Sequence, residues 1–240
     1  MSVLRDFEYG HDGLRLIGQL AMPAGPGPHP GVLVMHDAMG LGDVVRRRTR
    51  DLAAMGYVAL ATDMYGAGQA TPDRAKHGAL FGALQSEPEL LRGRVLAGFD
   101  ALRALEQVEA NHVAAIGFCF GGQCVLELAR SGAAVQAVVS FHGLLTTQRP
   151  ARSGEVKAKI LALTGARDPY APLEHVQAFQ SELTAARADW QVTLYGEGWH
   201  AFTDPDVSKR TDTPGVGYDP LLDRLSWAQA TAFLEATLGA

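Results

Sequence analysis

The most constraining stretch of this 240-residue chain is 113–122, Val-Ala-Ala-Ile-Gly-Phe-Cys-Phe-Gly-Gly. A short apolar run closed by glycine has the pattern of a buried strand, here ending at Gly117. Past Gly122, the residues Val125, Leu126, Leu128 and Ala129 form an apolar face at helical spacing. Cys119 stands alone between the two, with a glycine two residues away on each side. A strand that reverses this sharply into a helix brings the two backbones together, so side chains at Gly117 and Gly121 would collide with their neighbours. The stretch predicts a thiol presented at the apex of a tight turn.

The flanking sequence supplies a sheet for that turn. Residues 7–9 and 14–22 read as two strands around His11-Asp12-Gly13, an antiparallel hairpin at a sheet edge. The Pro- and Gly-rich 23–30 reads as a loop, and the apolar runs 31–35 and 57–61 as strands buried on both faces. Between them Asp43 is placed to cap a helix through about Met55, with Gly56 as its stop. Residues 67–88 read as a helical excursion above the sheet, and 90–108 as a helix with Leu91, Val95, Phe99, Leu102 and Leu105 on one face. Strands at 135–141, 160–164 and 190–195 alternate with helices from Pro172 to about Arg187 and at 218–238. Alternation of this kind predicts an α/β fold, a mostly parallel central sheet with helices on both faces. No repeat or linker interrupts it, so 1–240 is expected to form one domain.

Composition narrows the function. The apolar fraction is 47%, the charged fraction 20% and the net charge −5, with Arg46-Arg47-Arg48 as the one basic cluster. That cluster reads as the solvated start of a helix, because a nucleic-acid footprint needs a wider basic face. No apolar run approaches the ~20 residues that span a bilayer. The first ten residues are polar and mixed in charge, unlike a secretory leader. Cys119 and Cys124 are the two cysteines; five apart across a turn and helix, they point to different faces and are expected to stay free. Free thiols suit a reducing cytoplasm. No His-x-His or Cys-x-x-Cys spacing suggests a metal. A monomer or small homo-oligomer is expected.

In such sheets ligands bind beyond the carboxyl ends of the strands. The residues there are Asp37, Asp63, Cys119, His142, Asp168 and His200. A thiol needs a base, and the base an orienting group. Asp168 in Thr-Gly-Ala-Arg-Asp-Pro-Tyr and His200 in Gly-Glu-Gly-Trp-His-Ala-Phe follow Cys119 in the order nucleophile, acid, histidine. α/β-Hydrolases use that order, and strand, sharp turn and helix is their nucleophile elbow, usually with serine. His142 is the rival base, Cys124 reads as core, and Asp168 is also placed to cap the helix that follows. The elbow offers the Phe120 N–H to an oxyanion, and the loop after the third strand offers Ala38 N–H by analogy.

These motifs, together with His36-Asp37-Ala38-Met39-Gly40 and Asp63-Met64-Tyr65-Gly66, resemble the dienelactone hydrolase family from about Gly31 to the last helix. The resemblance implies one α/β-hydrolase domain, a Cys119, Asp168, His200 triad, no cofactor, and hydrolysis of a small ester or lactone. It also places Asp37, Tyr65, Trp199 and Asp204 at the thiol or in its pocket. Two departures stand out. Asp37 occupies a position where the family commonly has a thiol-activating Glu. Asp204 stands where the prototype has an arginine that grips the substrate carboxylate, which weighs against an anionic dienelactone here. Arg74 and Lys76 are the candidates for a compensating charge, and 206–217 looks longer than in the prototype. The alternative is a metabolite-binding or oxidant-sensing protein that uses Cys119 without turnover.

Overall fold

Alternation along the strands decides the layering of the computed structural model, which describes residues 2–71, 73–209 and 211–239 and only the backbone of Arg74. In β3 (His29–Met35), Val32 and Val34 join one apolar cluster while Leu33 and Met35 join the other. β5 (Val108–Phe118) does the same with Ala114 and Ile116 against Val113 and Ala115. Strands buried on both faces need helices on both faces. α1 (Asp43–Ala54) and α6 (Pro220–Leu238) cover one side; α2 (Arg74–Ser86), α3 (Pro88–Arg103), α4 (Phe120–Arg130) and α5 (Leu173–Ala185) cover the other.

The sheet has eight strands in the order β1 (Arg5–His11), β2 (Leu14–Ala21), β4 (Val58–Ala61), β3, β5, β6 (Ala137–Phe141), β7 (Lys159–Gly165), β8 (Asp189–Tyr195). β1 and β2 pair antiparallel, as do β2 and β4, and every other pairing is parallel. The hairpin turns at Asp12 and Gly13, both at positive φ, as a two-residue turn of the favoured twist requires. Register then sets the site. Met35 pairs with Gly117 and Phe118 with Phe141, so Asp37, Cys119 and His142 emerge level with one another from three adjacent strands.

Several local expectations are corrected. The helix expected over 90–108 ends at Arg103, and Val108 already belongs to β5, where it pairs with His29. Glu109, Asn111 and His112 are polar, and that end of the strand is largely solvent-exposed. β3 likewise begins at His29, inside the expected loop. Asp43 does not cap α1; Gly42 holds the cap position, and Asp43 is the first helical residue. Gly56 does stop that helix, at φ 103. The basic cluster is not simply solvated. Arg48 is buried, pairs with Asp223 of α6, and lies over the Trp227 ring at 4.2 Å.

A buried ionic network pins the connection after β6. Arg130 bonds Glu127 at 3.0 Å, both Glu182 oxygens at 2.8 and 2.9 Å, and the Leu145 carbonyl at 2.8 Å. Arg92 reaches the other Glu127 oxygen at 2.7 Å and the Arg149 carbonyl. Among the described residues, no helix is long and apolar enough to cross a membrane.

Candidate active site

Cys119 sits at φ 54, ψ −114, a backbone conformation uncommon outside glycine, between β5 and α4. Three backbone contacts hold it there. A Cβ on Gly117 would lie 2.0 Å from the Gly121 carbonyl oxygen, and one on Gly121 would lie 2.2 Å from that of Met35. The predicted collision at both glycines is therefore present, and the second ties α4 to the end of β3. The Cys119 N–H is shared between the Phe141 carbonyl at 3.0 Å and His142 Nδ1 at 3.2 Å.

Asp168 and His200 reach the same point from β7 and β8. Here too the approach is backbone on backbone, since a Cβ on Gly165 would fall 2.2 Å from the Gly198 oxygen. The Arg167 N–H donates to that oxygen at 3.0 Å. His200 Nδ1 then lies 2.8 Å from Asp168 Oδ2, with both residues buried. Asp168 Oδ1 accepts the N–H groups of Tyr170 and Ala171 at 2.8 and 3.3 Å. Asp168 closes its own turn in this way and does not cap α5, which starts after Pro172. Burial disfavours a charged His200. The charge of Cys119, hydrogen bonds to Asp168 and Cys119, and the Asp168 charge outweigh it and hold the imidazole at about 10. With Nδ1 on the carboxylate, Nε2 is the nitrogen left for the thiol.

His142, the rival base, is oriented differently. Its Nδ1 accepts from the Cys119 backbone and its Nε2 lies 2.8 Å from Thr203 Oγ1. Burial pushes it well below the ordinary imidazole range, and His200 adds to that effect. It is a neutral ring packed edge-on to His200 at 5.3 Å. Cys124 is core, its thiol pushed up by burial, and both cysteines are free.

A cavity of about 330 Å³ opens over Cys119, lined by Asp37, Ala38, His142, His200 and Asp204 among others. Its walls are mainly apolar. The 67–88 excursion supplies one as α2, which brings Phe81 to the cavity and onto the Phe120 ring at 5.3 Å. The 206–217 segment supplies another through Val207, Thr211, Thr213 and Val216. Asp37 lines the cavity with Oδ1 engaged by the Met39 N–H at 2.7 Å. Asp204 is buried and accepts the Asp206 N–H at 3.0 Å.

Tyr65 and Trp199 are not among the cavity's lining residues. Tyr65 is buried, with its hydroxyl donating to the Ala38 carbonyl at 2.9 Å. Trp199 is 43% exposed and packs against Gly217. Lys76 is exposed and does not line the cavity, and the Arg74 side chain lies outside the described residues. Thr203, Tyr170 and the Gly165–Gly198 pair were not singled out from sequence. The two glycines, flanking the acid and base motifs, were a legible signal. Among the described residues no group of three or more His, Cys, Asp or Glu is arranged to hold a metal.

A mostly parallel sheet, with a cysteine at a strand–helix elbow and a carboxylate-bonded histidine beside it, defines an α/β-hydrolase fold. The chain belongs to the dienelactone hydrolase family, whose model matches residues 16–238, and it is a hydrolase. It is 36% identical to a dienelactone hydrolase-like promiscuous phosphotriesterase from metagenomic libraries, with TM-score 0.92 and 98% of each chain covered. A Bradyrhizobium protein named probable 2-oxo-3-(5-oxofuran-2-ylidene)propanoate lactonase is 29% identical over 209 residues, 81% of this chain and 82% of that protein. Dienelactone hydrolase from Anabaena variabilis shares the fold at TM-score 0.68 and 19% identity, with 98% of each chain covered.

Proposed function

We propose that the chain hydrolyses small esters or lactones through a thioester on Cys119, with Asp168 and His200 completing a catalytic triad. The observation that carries this reading is the 2.8 Å contact of His200 Nδ1 with Asp168 beside the cavity over Cys119. His200 takes the Cys119 proton and leaves a thiolate paired with an imidazolium. The sulfur adds to the acyl carbon, and the N–H groups of Phe120 and Ala38 hold the oxyanion. Collapse of the adduct expels the alkoxide, which takes the imidazolium proton and leaves a thioester. His200 then removes a proton from water as it adds to the thioester, and returns that proton to sulfur as the acid departs.

No step calls for a cofactor, because a side chain or backbone group of this chain performs each one. The reading extends to a single domain over 1–240 and to a cytoplasmic location, which two free cysteines suit. The mainly apolar cavity of about 330 Å³ suits a small uncharged acyl group.

The test is turnover of p-nitrophenyl acetate and simple lactones by wild type and Cys119→Ala. Wild type should show a burst and carry one acyl group by intact mass, and the variant neither. A variant as active as wild type refutes the mechanism.

A further inference from the structure

His36 is fully buried, and neither of its ring nitrogens is free. Nε2 lies 3.1 Å from the Met64 N–H and accepts it. Nδ1 lies 2.6 Å from the Asp37 carbonyl oxygen. A carbonyl only accepts, so Nδ1 carries the proton and the ring is a neutral donor at that end. Burial, which pulls His36 below the usual imidazole range, agrees with a neutral ring. Beside it, the Tyr65 hydroxyl donates to the next carbonyl, that of Ala38, at 2.9 Å. Burial keeps the Tyr65 phenol protonated and therefore a donor. The Tyr65 ring stacks on Phe120 and tilts against His36 at 4.9 Å.

Two consecutive carbonyls of the strand-end loop are thus held by buried side chains. In a trans peptide the C=O and N–H point opposite ways. With the Asp37 carbonyl drawn to His36, and also accepting the Gly40 N–H at 3.3 Å, the Ala38 N–H is turned away from that buried ring. Asp37 and Ala38 both line the cavity. The following N–H, of Met39, is already bonded to Asp37 Oδ1. β3 and β5 are neighbours in register, so the Ala38 N–H and the first N–H of α4 come from adjacent strand ends.

We propose that His36, with Tyr65 beside it, is a positioning residue that locks the Asp37–Ala38 peptide in the orientation an oxyanion donor needs. The proposal rests on Ala38 N–H being the second donor of the thioester reading. A peptide released from His36 can rotate and offer a carbonyl oxygen to the developing negative charge, which repels it.

Two readouts on the full chain separate this role from a general structural one. p-Nitrophenyl acetate turnover passes through an oxyanion. Alkylation of Cys119 by iodoacetamide displaces iodide at a saturated carbon and forms none. His36→Leu should lower kcat about 10²-fold, the scale of losing one oxyanion donor, with KM and the alkylation rate within about twofold of wild type. Tyr65→Phe keeps the stacked ring and should lose about tenfold in kcat, the scale of one hydrogen bond, with alkylation unchanged. His36→Asn, whose amide can donate to the Asp37 carbonyl, should recover part of the His36→Leu loss. Turnover and alkylation falling together would overturn the proposal, and so would full turnover in either His36→Leu or Tyr65→Phe. If His36→Leu does not fold, Tyr65→Phe decides alone. Failure of the underlying reading looks different, because Cys119→Ala would then keep wild-type turnover.

Discussion

Gly165 offers a direct test of how the acid and the base are brought together. A Cβ added there would lie 2.2 Å from the Gly198 oxygen and 2.4 Å from its carbonyl carbon. Both are backbone atoms, so no side-chain rotation relieves the clash. Restoring ordinary contact requires the β7 and β8 loops to part by roughly 1 Å. Asp168 rides on one loop and His200 on the other, so the separation acts directly on their 2.8 Å contact. A misplacement of that size costs about 10²-fold in rate. Overpacking of this kind costs about 1–3 kcal/mol. For a chain of this length that lowers Tm by roughly 2–12 °C. Gly196→Ala is the matched control, since a Cβ there has nothing within 4 Å. Turnover of p-nitrophenyl acetate and thermal melts on both variants give the answer. If Gly165→Ala keeps wild-type kcat and Tm, the backbone approach is not what sets the acid–base spacing.

Two further outcomes follow from the electrostatics. His200 is held at about 10 when folded, against about 6.5 unfolded. The imidazolium therefore stabilises the fold fully below about pH 6.5, and the contribution is lost as pH rises through about 10. Because the Cys119 charge is the largest of the raising effects, His200 should titrate lower by NMR in Cys119→Ala than in wild type, and an unmoved value would refute that cause. Arg130→Leu strips Glu127 and Glu182 of their shared buried cation. It should cost about 3–5 kcal/mol in chemical denaturation, and an unshifted midpoint would show that the network contributes nothing net.

The parts of the site that were legible in sequence are those where backbone geometry forces a residue choice. Cys119 was visible through its glycines, and Asp168 and His200 through their places just beyond strands. Asp63 and Asp168 both follow a buried strand, and chain order alone points to Asp168. The donors around each carboxylate supply the physical reason. Both Asp63 oxygens are committed to backbone N–H groups of Ile17, Tyr65, Gly66 and Gly68. Asp168 keeps one oxygen for His200. The roles of His36 and Tyr65 were hidden for a related reason, because their partners are main-chain atoms, those of Asp37 and Met64 for His36 and of Ala38 for Tyr65. Arg48 was misread because its partners, Asp223 and Trp227, lie over 170 residues away in the chain. The extent of β5 was missed because its first half is a strand without an apolar pattern.

The cavity wall that Val207, Thr211, Thr213 and Val216 build is tied to the main chain of His200. His200 exchanges main-chain hydrogen bonds with it, donating to the Gly215 carbonyl at 2.8 Å and accepting from Gly217 at 3.0 Å. Thr211, Thr213 and Val216 of the same segment line the cavity over Cys119. Under the proposed mechanism, the surface that would meet the substrate and the residue that would move the proton are therefore one mechanical unit. On that mechanism, a substrate crowding this wall would push on the imidazole, and poor fit would be felt in the rate of the reaction as well as in the strength of binding.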